Sequence, residues 1–179
     1  MSKNVVVIST SLRGNSNSDA LAKSFAEGAR EAGNTVEFIS LKGKSIGFCI
    51  GCLACQSRGE CVIKDDAIEI TEKVLNADVV AWATPIYYYE MSGQMKTLID
   101  RMNSMYPKEY RFRDVYFMAT AAEDEEYVPE RAVAGLQGWI DCYEKAELKG
   151  SVFCGGVNDA GDINGNDKLA AAYEMGKNI

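Results

Sequence analysis

A chain of 179 residues, 47% of them hydrophobic, is long enough for one domain around a single sizeable core. A net charge of -7, with the 19 Lys and Arg residues scattered, excludes a surface built to neutralise nucleic-acid phosphates or anionic lipid. The absence of histidine removes Ser/His, Cys/His and His-metal mechanisms, leaving chemistry to thiolates, hydroxyls, amides, carboxylates or a cofactor. The opening MSKNVVVIST lacks the pattern of a secretory leader, and no apolar run approaches the length that spans a bilayer. A cytoplasmic protein is expected, with no nucleic-acid or membrane partner and with its thiols kept reduced.

In chain order, NVVVIS (4–9) reads as a buried parallel strand, followed by a polar loop. Ala20, Leu21, Phe25, Ala29 and Ala32 recur at helical spacing and predict a helix over 19–32. TVEFIS alternates as a second strand, and a cysteine-rich insertion at about 47–62 follows it. DDAIEITEKVLNA predicts a helix with its acidic residues in the first turn, where they suit the helix dipole. VVAWAT is a third strand that Pro85 should end. Helix 92–105, strand VYFMAT, helix 129–146, strand GSVFCG and helix 167–177 complete the alternation. Five strands alternating with helices imply one α/β domain over 1–179, a doubly wound parallel sheet covered on both faces. Ligands of such sheets bind beyond the carboxyl ends of the strands, beside strand one.

The loop after strand one, STSLRGNSNSD (9–19), precedes a helix start. Free backbone N–H groups there, with Ser11, Ser16, Asn17 and Ser18, could cradle a phosphate. An ordinary N-cap and polar turn would use the same residue types. After strand three, TPIYYYEMSGQMKTLIDR (84–101) carries three consecutive tyrosines that cannot all enter one core. Some of Tyr87, Tyr88 and Tyr89 should line the crevice for a planar ligand or pack on a neighbouring subunit. The acidic run EDEEY (123–127) reads as a solvated loop. VNDAGDINGND (157–167) lacks the spacing of a calcium loop and reads as a turn-rich connection, with a position over a partner's active site as its functional alternative.

Cys49, Cys52, Cys55 and Cys61 follow CxxCxxCx5C, a compact pattern suited to wrapping an iron-sulfur cluster. Redox thiols, a zinc site and a loop of inert cysteines stand as alternatives. Cys142 and Cys154 read as buried structural thiols.

TSLRGNSNS before a helix, together with TPIYYYEMSGQMKTLIDR, resembles the flavodoxin-like NAD(P)H-dependent FMN reductase family over most of the chain. The resemblance implies a flavodoxin-like five-stranded sheet in the order 2-1-3-4-5 and an FMN-dependent oxidoreductase. Ser11, Arg13, Ser16, Asn17 and Ser18 would hold the FMN phosphate. Pro85, Ile86, Tyr87 and Tyr88 would border the ribityl chain and isoalloxazine, and Thr120 and Ala121 would form the third flavin loop. Within the family, the cysteine spacing resembles the iron-sulfur flavoproteins, implying a [4Fe-4S] cluster on Cys49, Cys52, Cys55 and Cys61. Implied partners are NAD(P)H or ferredoxin as donor, a small acceptor such as a quinone, nitro compound or oxygen species, and further copies of the chain in a homodimer or homotetramer. A non-catalytic electron carrier, and a cluster-free reductase with redox thiols, are the alternative readings.

Overall fold

The computed structural model describes residues 2–179. In chain order the elements are β1 (Asn4–Ser9), α1 (Asn17–Glu31), β2 (Thr35–Ser40), α2 (Ala54–Arg58), α3 (Ala67–Asn76), β3 (Val79–Tyr87) and β4 (Glu90–Met91). There follow α4 (Gly93–Arg101) with a 3-10 turn Met102–Met105, β5 (Asp114–Thr120), α5 (Glu130–Ile140), β6 (Glu147–Cys154) and α6 (Asp167–Lys177). The long strands pair in parallel in the order β2-β1-β3-β5-β6. This is the flavodoxin-like order expected, with the two-residue β4 added as an antiparallel flap on β3.

The strand period of two divides the core into two layers. Val6, Ile8, Val80, Trp82 and Phe117 point to the side covered by α3, α4 and α5, while Val5, Val7, Ala81, Tyr116 and Met118 point toward α1 and α6. The central strands β1, β3 and β5 are buried between both layers, which explains why they read as continuous apolar runs. Helices α1 and α6 cross at backbone distance. A Cβ on Gly28 would lie 2.0 Å from the Tyr173 carbonyl oxygen, and one on Gly176 would lie 2.1 Å from that of Phe25.

Three expectations change. Pro85 does not end β3: it stays in the strand opposite Thr120, and the chain turns only after Tyr87 to form the β3–β4 hairpin. The helix expected over 129–146 stops at Ile140, and the chain leaves helical geometry so that Tyr143 packs against Phe112 and Trp139. Cys142 therefore sits exposed in that turn, whereas Cys154 is buried and its thiol is pushed up by desolvation. Among the described residues no helix is long and apolar enough to cross a membrane.

Candidate functional site

The carboxyl ends of β1, β3 and β5 meet at one edge, and three loops leave from there. The first is 10–16. Ser16 caps α1 by accepting the Asp19 N–H at 3.3 Å, and its Oγ lies 3.1 Å from that of Ser18. Ser11, Ser16 and Ser18 are buried at the positive end of a 15-residue helix whose first N–H groups have no intrahelical acceptor. Ser9, on the α1 side of β1, keeps a buried hydroxyl without a partner among the described residues. These groups fit a phosphate. Lys42, which sequence reading passed over, holds its ammonium 3.3 Å from where a Gly14 Cβ would stand and so brings a positive charge to the same loop.

Two residues assigned to the phosphate are engaged elsewhere. The Asn17 side chain donates to the Asp159 carbonyl at 2.9 Å and accepts the Gly161 and Ile163 N–H groups. Arg13 donates to the Asn158 carbonyl at 2.7 Å. Both tie down the 157–167 connection, which packs on this chain's own loop after β1. A polar loop beside another polar loop leaves no hydrophobic pattern, so only the run of Asn and Asp hinted at the contact.

The second loop is the β3–β4 hairpin. Its central residues, Tyr88 and Tyr89, have φ of 52° and 64°, the conformation of a two-residue turn that normally takes Asn-Gly. Side chains resist that region, and Tyr88 is 98% exposed, so nothing within the chain offsets its strain. Tyr88→Asn should raise the urea midpoint of the cofactor-free protein by the equivalent of about 1 kcal/mol. An unmoved midpoint would show that the turn costs nothing. Tyr87 is also exposed, while Pro85 and Ile86 are half-buried.

The third loop begins at Thr120 and Ala121, both buried, with Thr120 opposite Pro85 in the β5–β3 ladder. Its acidic run 123–127 is exposed, as expected of a solvated loop, and is tethered through Tyr89. Tyr89 donates to Glu123 at 2.9 Å and stacks on Tyr127, joining the second and third loops. The carboxylate holds the Tyr89 phenol above its ordinary pKa. A buried polar string joins the first and second loops: Thr10 Oγ1 donates to the Ala83 carbonyl and lies 3.1 Å from Ser92 Oγ, and the Ser92 N–H donates to Thr84. Ser92 also caps α4. Sequence alone gave Thr10, Thr84 and Ser92 no signal beyond ordinary polar residues.

The four cysteines lie at the other end of α4. A nine-residue helix is about 13 Å long, so α4 sets the spacing between crevice and cysteine loop. Cys49, Cys52, Cys55 and Cys61 line one small pocket together with Asp100, Arg101 and Asn103. The loop contains the short helix α2, which includes Cys55, and turns at Gly51 and Gly59 with φ of 65° and 73°. Three sulfurs accept hydrogen bonds: Cys49 from the Gly51 N–H at 3.4 Å, Cys61 from Arg101 Nη2 at 3.3 Å and Cys55 from Asn103 Nδ2 at 3.6 Å. Among the described residues no group of three or more His, Cys, Asp or Glu side chains is placed to hold a metal ion.

The loop is closed at its base by the acidic pair expected only to favour the α3 dipole. Asp65 accepts the Gly47 and Ala67 N–H groups and both ends of the Arg101 fork, and Asp66 accepts the Ser45 N–H and the Lys44 ammonium. Burial alone would raise Asp65, but Arg101 and the two amides outweigh it and hold the carboxyl below its ordinary value. Arg101 itself, fully buried, is held above its ordinary value because Asp65 and Cys61 outweigh desolvation.

An iron-sulfur flavoprotein of Methanocaldococcus jannaschii is 39% identical over 97 residues, 54% of this chain and 50% of its own. One from Archaeoglobus fulgidus is 44% identical over 71 residues, 40% of this chain and 32% of the relative, so these matches span half or less of the relatives' length. A Methanosarcina thermophila iron-sulfur flavoprotein is 25% identical over 84% of this chain and 79% of its own. The fold of an NAD(P)H:quinone oxidoreductase from Methanothermobacter marburgensis superposes with a TM-score of 0.75 at 20% identity, over 99% of this chain and 96% of that one. Residues 3–131, which carry β1 through β5 and all three crevice loops, match the NADPH-dependent FMN reductase family, and the chain belongs to that family.

Proposed function

We propose that this protein is an FMN-dependent oxidoreductase that passes electrons from a reduced donor, through FMN, to a [4Fe-4S] cluster or a small acceptor. The observation that carries the reading is that four cysteines line one pocket, a helix length from a buried polar loop at the sheet's switch point. Family membership and the iron-sulfur flavoproteins among the relatives support it. NAD(P)H as donor suits the family, and ferredoxin is the donor suggested by the iron-sulfur branch.

When bound, FMN supplies hydride and single-electron chemistry, and the protein need only position it. Ser11, Ser16, Ser18 and the first amides of α1 would hold its phosphate, with Lys42 contributing charge. Arg13 and Asn17 would act through the 157–167 connection that they anchor. Pro85, Ile86, Tyr87 and Tyr88 would border the ribityl chain and ring on one side of the crevice, and Thr120 and Ala121 would stand on the other.

Cys49, Cys52, Cys55 and Cys61 would ligate the cluster. Four sulfurs around one zinc must lie within roughly 4 Å of one another, given Zn–S bonds of about 2.3 Å, whereas a cluster binds each thiolate at a separate iron. Four thiols lining one pocket from a single compact loop suit the cluster better. Exposed Phe48, Ile50 and Leu53 on the same loop suit a homodimer or homotetramer in which this surface is covered.

The phosphate assignment has a direct test. Charge-assisted hydrogen bonds are each worth about 1.5–3 kcal/mol, so Ser16→Ala with Ser18→Ala should weaken FMN binding by roughly tenfold or more. Riboflavin, lacking the phosphate, should bind variant and parent alike. Unchanged FMN affinity in a folded double variant would overturn the assignment.

A further inference from the structure

Arg101 is the most completely buried charged residue near the cysteines, and its contacts converge on their loop. Nη1 donates to the Gly47 carbonyl and Asp65, and Nη2 donates to Asp65, the Ile63 carbonyl and the Cys61 sulfur. One guanidinium thus ties the start of the cysteine loop to its end. Nε is buried without a partner among the described residues, leaving a spare donor on a side chain that lines the cysteine pocket. A buried cation already neutralised by Asp65 has no structural need of a sulfur acceptor. We propose that Arg101 is a positioning residue that aims Cys61 at the cluster and, by donating to its sulfur, raises the cluster's reduction potential.

The proposal rests on the reading of the four thiols as iron ligands. Reduction adds one electron to the cluster and breaks no bond at sulfur, the electron coming from reduced FMN or another reduced donor. The added negative charge spreads onto the ligating thiolates, so a cationic donor at one of them stabilises the reduced form more than the oxidised form. Lysine cannot reproduce the effect, because a single ammonium cannot span Gly47, Asp65, Ile63 and Cys61 with a planar fork.

Two measurements on anaerobically purified holoprotein test it. In Arg101→Lys the midpoint potential of the cluster, followed by redox titration with EPR detection, should fall while that of FMN stays in place. An iron-loaded variant with the parent's cluster potential would overturn the proposal. Should that variant fail to fold or load iron, the parent protein labelled with 15N-arginine still decides the matter. Its reduced cluster should show a 15N hyperfine coupling, since Arg101 Nη2 lies 3.3 Å from Cys61 Sγ. Loss of that coupling with iron present would overturn the proposal alone, whereas a parent protein without iron would overturn it together with the cluster reading.

Discussion

Replacing Cys52 or Cys55 with serine should abolish iron and sulfide binding in protein made and kept without oxygen, while FMN remains bound. A cluster needs its full set of ligands, normally deprotonated thiolates, so the effect should be all or none. FMN should persist because the loop proposed to hold its phosphate lies at the opposite end of α4 from the cysteine pocket. The parent should show broad visible absorption beneath the flavin bands, bleached by dithionite, with about four iron atoms per chain. The serine variants should show flavin bands alone. Zinc without iron in the parent would mean a structural metal, and neither metal with reversibly oxidised thiols would mean a dithiol site.

The fold was legible because the central strands β1, β3 and β5 are buried on both faces and keep their apolar runs in the sequence, while the edge strand β2 shows itself by alternation. α6 was read to the residue, 167–177, because Asn166 before Asp167 supplies a side-chain cap. The end of α5 was not legible: WIDCYEKA keeps helical spacing, and only the aromatic cluster around Phe112 draws Tyr143 out of register. That the loop after β1 is a polar cradle at a helix start could be read from residue types and position. The division of labour within it could not, since Asn17 and Arg13 face a loop more than 140 residues away in sequence. The same holds for Arg101. As the last letter of LIDR it looks like an exposed helix end, and only tertiary packing shows it buried among Cys61, Gly47 and Asp65. Local signals reveal which residues can do chemistry, and long-range contacts decide which of them are used.

Asp65→Asn should be the most destabilising single change in the loop region. Asp65 and Arg101 form a buried fork with contacts of 2.6 and 2.9 Å, and the carboxylate accepts two backbone amides as well. An amide in its place turns one oxygen into a donor facing other donors, and leaves the guanidinium without its counter-charge. Breaking one side of such a pair costs about 3–5 kcal/mol, a large share of the 5–15 kcal/mol that holds a typical domain together. In a Cys52→Ser background, where no cluster contributes, the urea midpoint at neutral pH should drop by roughly 2 M. The pH dependence separates this account from simple mispacking. Asp65 is held below its ordinary value of 3.8, so the folded state binds the ionised form preferentially. Its contribution is fully present above that value and is lost as the pH falls from 3.8 through the lower folded-state value. The gap between parent and Asp65→Asn should therefore be constant from neutral pH down to about the ordinary carboxylate range and narrow below it. Asp66→Asn, which alters the exposed Ser45 and Lys44 contacts instead, should shift the midpoint far less. Equal shifts for the two variants, or a gap indifferent to acid, would mean that the Asp65–Arg101 fork does not hold the cysteine loop to α4.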